Sequence, residues 1–278
     1  MRELLLSKLR ARLSLRQKFL LVSTLKWLSI PHLWSFCSST GRKNYCAAEN
    51  AFHVLRPYST QYDEIRVGGD VDGGYVIPRI SHEWDVLISP GVGASSMFEK
   101  SIASPTTKVI LIDGNVPKPS GLPNNFEFID KLLWLEDSKN SIRLDSVIAK
   151  YCKDQQRVML QMDIEGGEWS VLKEVTNRDL QKFQMIILEL HNLEKLLVDE
   201  FQVDYTNVLN KLTATHFCSH FHVNNAGGFF FYRGKRFPQV VEVTLLNLNS
   251  FTPTQMGTDS SSLDSVSDPA IFDWAFKF

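Results

Sequence analysis

The chain has 278 residues, 44% hydrophobic and 22% charged, which is enough to bury a sizeable core and too apolar for a disordered chain. Its formal net charge of −1 conceals an asymmetry: residues 1–26 carry Arg2, Lys8, Arg10, Arg12, Arg16, Lys18 and Lys26 against the single acid Glu3. The remainder is acidic, which argues against a nucleic-acid-binding body, and four scattered cysteines (Cys37, Cys46, Cys152, Cys218) without a Cys-x-x-Cys pair argue against a zinc ribbon or a disulfide scaffold.

In chain order, the first element is a basic segment. Leu5, Leu9, Leu13 and Leu20 recur at near-helical spacing, so residues 1–45 read as a basic amphipathic helical appendage. Residues 1–36 either pack onto their own domain or lie on an anionic membrane surface or a partner. The apolar stretch at 18–36 is interrupted by Lys26 and Pro31 and is not read as a membrane span. A cytoplasmic location is expected, with membrane association left open.

Next comes "RVGGDVDGGYVIP" (66–78), where two glycine pairs bracket Asp70 and Asp72: a hairpin or an active-site loop. From there apolar runs alternate with helix-length stretches. The strand candidates are 85–89, 108–113, 126–129, 158–163, 185–190, 220–225 and 240–246; helices are expected near 95–103, 141–153, 168–176 and 193–212. The last two strands have no helix between them, so an antiparallel edge pairing is expected there. The Ser/Thr/Asp-rich residues 251–278 read as a mobile tail or loosely docked lid, which leaves 46–250 as the main domain.

This pattern predicts an α/β fold with a Rossmann-like seven-stranded sheet, mostly parallel with an antiparallel final strand, the sheet of class I S-adenosylmethionine-dependent methyltransferases. Ligands in such sheets sit beyond the carboxyl ends of the strands, so the residues after each run matter most. The first run ends in "SPGVGASSMFE", where Gly91 and Gly93 let the backbone approach a ligand; Ser96 stands where a dinucleotide fingerprint needs its third glycine. The second ends at Asp113, whose carboxylate can accept two hydrogen bonds from a ribose diol. The fourth ends in "QMDIEGGEW", placing Asp163, Glu165 and Glu168 around a turn that Gly166 and Gly167 permit. The fifth ends in "ILELHNL", with Glu189 and His191 on one side of the strand. His220 and His222 are expected to be sheet-surface residues.

"DGGYV", "LISPGVGASSMFEKSI", "VILIDGN", "LDSVIAKY", "LQMDIEGGEWSVL" and "IILELHNL", in this order and spacing, resemble the FkbM-type methyltransferase family over roughly residues 54–248. The resemblance implies binding of S-adenosylmethionine and methylation of an oxygen on a small molecule or sugar. It implies that Gly91 and Gly93 line the cofactor, with Glu99 and Asp163 also placed there, that Asp113 holds the ribose, and that Asp163 and Glu165 face the reaction centre. The chain departs from the family at Gln161, where many members have lysine, and at Ser89, where many place an acid.

Methyl transfer needs alignment and removal of a hydroxyl proton, for which Asp163 and His191, with Glu165 beside them, are the candidate catalytic groups. A divalent cation is compatible with the acids, but no separate ligand set demands one and no metal site is assigned. The expected partner is a small-molecule or saccharide acceptor, with no nucleic acid. Two rival readings are a non-catalytic methyltransferase-like interaction module and a nucleotide-sugar or dinucleotide enzyme on a similar sheet.

Overall fold

The computed structural model describes residues 49–70, 72–93, 96–232, 234–257 and 260–278. The expectations for residues 1–45 lie outside the described residues.

Strands β3 (Val86–Pro90), β4 (Lys108–Ile112) and β8 (Val158–Met162) are near-continuous apolar runs because both their faces are covered, the hallmark of parallel strands inside an α/β sheet. With β5 (Phe126–Ile129), β9 (Phe183–Leu190), β10 (His216–Val223) and β13 (Val241–Asn247) they form one seven-stranded sheet of order β10-β13-β9-β8-β3-β4-β5. Pairings from β9 through β5 are parallel, while β13 is antiparallel to both β9 and β10. The expected antiparallel edge pairing is present as β10 with β13, in which β13 inserts between β9 and β10 and leaves β10 outermost.

Short helices make the crossovers: α1 (Met97–Ile102), α2 (Leu144–Tyr151), α3 (Glu168–Glu174), α4 (Asn177–Leu180) and α5 (Asp199–Thr213). Helix α5 buries Tyr205, Val208, Leu209 and Leu212, the face its spacing predicts, and a separate 3-10 turn, Leu193–Leu197, precedes it. One core layer packs α2, α3 and α5 on the sheet through residues such as Val147, Leu172 and Leu209. The opposite layer is closed by Phe98, Trp84, Phe251 and the hairpin of β1 (Glu64–Val67) and β2 (Tyr75–Pro78). "RVGGDVDGGYVIP" is thus both hairpin and crevice loop, since Gly69, Asp72 and Gly73 at its tip line the central cavity. Two further two-stranded pairs flank the sheet, β6 (Leu132–Leu133) with β7 (Ser141–Ile142) and β11 (Phe229–Tyr232) with β12 (Lys235–Pro238).

The described part of the C-terminal segment is coil held by side chains. Asp264 pairs with His220 at 2.8 Å, Ser261 donates to Glu64, Ser265 donates to the Asp70 carbonyl, and Asn225 donates to the carbonyls of Asp268 and Ile271. Phe276 is buried against Phe52 and Phe237. Among the described residues no helix is long and apolar enough to cross a membrane.

Candidate functional site

Strand order reverses at β3, with β4 on one side and β8 on the other, so a crevice opens beyond their carboxyl ends. It holds a cavity of about 580 Å³. The chain leaves β3 through Gly91 (φ +82) and Gly93 (φ +60), conformations that side-chain-bearing residues rarely adopt. At Gly91 the requirement is also steric: a Cβ would stand 1.4 Å from the Asp163 carbonyl oxygen. The loop is laced to both neighbouring strands, Gly91 N donating to Ile112 O and Asp163 N donating to Pro90 O. Gly93 faces open space, with nothing within 4 Å of where its Cβ would be.

Asp113 follows β4, is 8% exposed, and accepts from Gly93 N at 3.3 Å and Asn115 N at 2.7 Å. The carboxylate expected to meet a diol therefore also fixes the glycine loop. Beneath it runs a buried polar chain. The Ser89 hydroxyl has one proton and two acceptors in reach, a Glu99 carboxylate oxygen and Gln161 Oε1 at 2.7 Å, and Gln161 Nε2 donates to the Tyr75 hydroxyl at 3.2 Å. Burial raises the Glu99 carboxyl, opposed by its hydrogen bond to Ser89; a proton retained on Glu99 lets every group in the chain be satisfied.

At the end of β8 the backbone turns through Glu165 (φ +57) and Gly166 (φ +103) into α3. Glu168 is fully buried and its Oε1 accepts from Ile164 N at 2.8 Å and Gly166 N at 3.2 Å, so this acid pins the turn from the helix start. Trp169, stacked on Tyr205 at 3.9 Å, donates through Nε1 to the His191 carbonyl at 2.7 Å and thereby ties α3 to the end of β9.

Four carboxylates surround the His191 imidazole. Nδ1 lies 3.3 Å from Glu168 Oε1 and 3.2 Å from the Glu189 carbonyl; Nε2 lies 3.5 Å from Glu189 Oε1, 3.6 Å from Glu165 Oε2 and 3.9 Å from Asp163 Oδ1. Burial pushes the Asp163 carboxyl up to about 7, with His191 opposing and Glu165 adding to the rise. Glu189 is raised by burial and by Asp163. His191 is lowered by burial but raised overall by Glu168, Asp163 and Glu165, so it is more readily protonated than an ordinary histidine.

Of the residues singled out in the sequence, Gly91, Gly93, Glu99, Asp113, Asp163 and Glu165 all line the cavity, and His191 stands behind Asp163. Sequence reading missed the rim formed by Leu132, Leu133 and Trp134, which follows β5 where its apolar run continues past Asp130. It also misplaced two histidines. His220 and His222 are buried rather than on the sheet surface, because each is paired with carboxylates, His220 with Asp264 and Glu64 and His222 with Glu242.

Residues 136–231 match the family model described as the methyltransferase FkbM domain, a span that holds "LDSVIAKY", "DIEGGEW" and "IILELHNL" and leaves the glycine loop and Asp113 outside it. The family resemblance read from the motifs is thus matched independently over that span. No curated protein matches this chain. Among solved structures it is similar to the Methanococcus jannaschii fibrillarin pre-rRNA processing protein (9% identity, 59% of this chain and 67% of that one, TM-score 0.36). It is also similar to a 16S rRNA (adenine(1408)-N(1))-methyltransferase from Catenulisporales acidiphilia (12%, 59% and 86%, 0.30) and to a dimethyladenosine transferase from Plasmodium falciparum (14%, 73% and 62%, 0.34). Structures named for work on ribosomal RNA stand among these likenesses, so the expectation that nucleic acid is excluded as a partner is withdrawn. At such TM-scores the likenesses do not make nucleic acid this chain's acceptor either.

Proposed function

We propose that this chain, whose residues 136–231 match the FkbM methyltransferase domain, binds S-adenosylmethionine in the crevice beyond β3, β4 and β8 and methylates a hydroxyl of a small molecule or sugar. The observation that carries the reading is the charge of the cavity wall. Asp72, Asp113, Asp163 and Glu165 line it, Glu99 adds a buried carboxyl, and no lysine, arginine or histidine lines it among the described residues. Such a wall favours a net cation, and in the cofactor a sulfonium and an ammonium outnumber one carboxylate.

Bound there, S-adenosylmethionine supplies an electrophilic methyl group. The chain's own residues do the rest. The Gly91–Gly93 backbone lets the ligand approach closely, and Asp113 accepts hydrogen bonds from the ribose diol while holding Gly93 in place. Asp163 and Glu165 form the acceptor end, where they orient the hydroxyl and receive its proton, and His191, behind them, positions both. An Asp163 carboxyl near neutrality suits that exchange, since proton transfer is most efficient when the group titrates near the working pH.

Calorimetry of the whole chain with S-adenosylhomocysteine tests the proposal. Saturable one-to-one binding that Asp113→Ala weakens is expected; no binding at millimolar ligand would overturn it and favour the non-catalytic module.

A further inference from the structure

The carboxylates around His191 outnumber what one imidazole can neutralise. Asp163, Glu189 and His191 each offer one ligand atom within 4.8 Å of the others, and they come from the ends of two adjacent strands, β8 and β9. Their separations are informative. Nε2 of His191 is 3.5 Å from Glu189 Oε1 and 3.9 Å from Asp163 Oδ1, too long for good hydrogen bonds. Ligands sharing one ion at roughly 2.0–2.2 Å stand about 3–4 Å apart, and both distances from His191 Nε2 fall in that range.

A second, separate observation concerns the atoms around this triad. Glu168, with no exposed surface, brings Oε1 to 3.3 Å from His191 Nδ1, and the Glu189 carbonyl lies 3.2 Å from the same nitrogen. Both are acceptors, so Nδ1 carries the proton and the lone pair of Nε2 points toward Asp163 and Glu189. A carboxylate behind a histidine that aims its other nitrogen at an ion is the usual outer support of a metal ligand. Asn224 Nδ2 likewise fixes Glu189 by donating to Oε1 at 2.7 Å. Meanwhile Asp163 Oδ1 and Glu168 Oε2 are buried with no hydrogen-bond partner, an expensive state for carboxylate oxygens.

We propose that Asp163, Glu189 and His191 bind a divalent cation whose remaining coordination positions open beside Asp163 to the acceptor's oxygen atoms. Two carboxylates and one imidazole suit magnesium, manganese or zinc better than a soft thiophilic ion. The inference rests on the proposed function for its acceptor but not for the metal itself. With a cation held there, Asp163 and His191 would be ligands rather than proton acceptors, and of the groups at the acceptor end Glu165, whose side chain is 88% exposed, would be the one left to receive the hydroxyl proton.

The test uses the whole metal-stripped chain and Mn²⁺ alone, without cofactor, read by calorimetry and by electron paramagnetic resonance. One Mn²⁺ per chain is expected, with hyperfine coupling to a directly bound imidazole nitrogen. Glu189→Gln and Asp163→Asn should each weaken it at least about tenfold, and His191→Gln should abolish the nitrogen coupling. Asp264→Asn, an acid paired elsewhere on the same sheet, should leave it unchanged. Binding that survives Glu189→Gln and Asp163→Asn, or that falls equally in Asp264→Asn, would overturn the site, as would absence of stoichiometric binding in a chain that still binds S-adenosylhomocysteine. If Mn²⁺ binds as expected and S-adenosylhomocysteine does not, the metal site stands and the cofactor reading falls.

Discussion

Ser89 and Gln161, 72 positions apart in the chain, hydrogen-bond each other at 2.7 Å in the floor of the crevice, one at the end of β3 and the other in β8. These are two positions that the motif resemblance singled out as departures. The two departures touch, as a neutral hydroxyl–amide pair. Both side chains are buried, at 0% and 4% exposure, where a neutral pair avoids the desolvation that a buried ion pair costs.

Ser89→Ala should therefore destabilise the fold by about 1–3 kcal/mol, because Gln161 Oε1 loses its donor without gaining water. Adding Gln161→Met should cost less than the separate effects summed, since the double variant leaves no amide oxygen unpaired. Urea unfolding of the four proteins closes this cycle, and simple additivity would show that the pair is not coupled.

Asp113→Ala should weaken S-adenosylhomocysteine binding by at least about tenfold. Hydrogen bonds to a charged acceptor are each worth about 1.5–3 kcal/mol, and the substitution also frees Gly93 N and Asn115 N. Equal calorimetric affinity in the variant would remove Asp113 from the cofactor site.

Asp163→Asn and His191→Ala should keep cofactor affinity within a few-fold and lower methyl transfer by at least about tenfold, the low side of what positioned acid–base groups contribute. Single-turnover rates on an identified acceptor check this. Loss of cofactor binding in both variants would move "DIEGGEW" into the cofactor pocket and shift the search for the acceptor site to the loop at Asp72.

The His220–Asp264 pair should make stability fall in mild alkali. Burial alone would lower the His220 imidazole, but its bonds to Asp264 and Glu64 push it up to about 9, above the ordinary value of about 6.5. A raised histidine contributes its full stabilisation below 6.5 and loses it as pH climbs through 9; Asp264, lowered by His220 against its burial, keeps its contribution until strong acid. The melting temperature should drop between pH 6.5 and 9 by about 2–4 °C per kcal/mol lost, and Asp264→Asn should flatten that slope. An unchanged slope in the variant would place the pH dependence elsewhere.

The sheet was largely legible because β3, β4 and β8 are uninterrupted apolar runs, a pattern produced when helices cover both faces. Strand β10 was harder. Its true start at His216 was hidden by "HFCSHFHV", whose histidines read as polar although His216 is buried between Thr215 and the Phe183 carbonyl. The insertion of β13 between β9 and β10 is a nonlocal pairing that no local periodicity encodes. In the site, alternation along β9 places Glu189 and His191 together, but the approach of Glu168 to His191 depends on how α3 packs on that strand, and only the fold supplies it.

The contact between Gly91 and the Asp163 carbonyl leaves no slack between the two halves of the crevice. The glycine loop and the acid turn meet backbone to backbone, so they behave as one hinge-free joint: displacing either drags the other. A lineage retooling this scaffold for a new acceptor would have to spare the joint and vary what projects from it, chiefly Glu165, Asp72 and the rim at Trp134. Cofactor geometry and acceptor choice would then drift at different rates, the first anchored by a missing methyl group and the second free to wander along the rim.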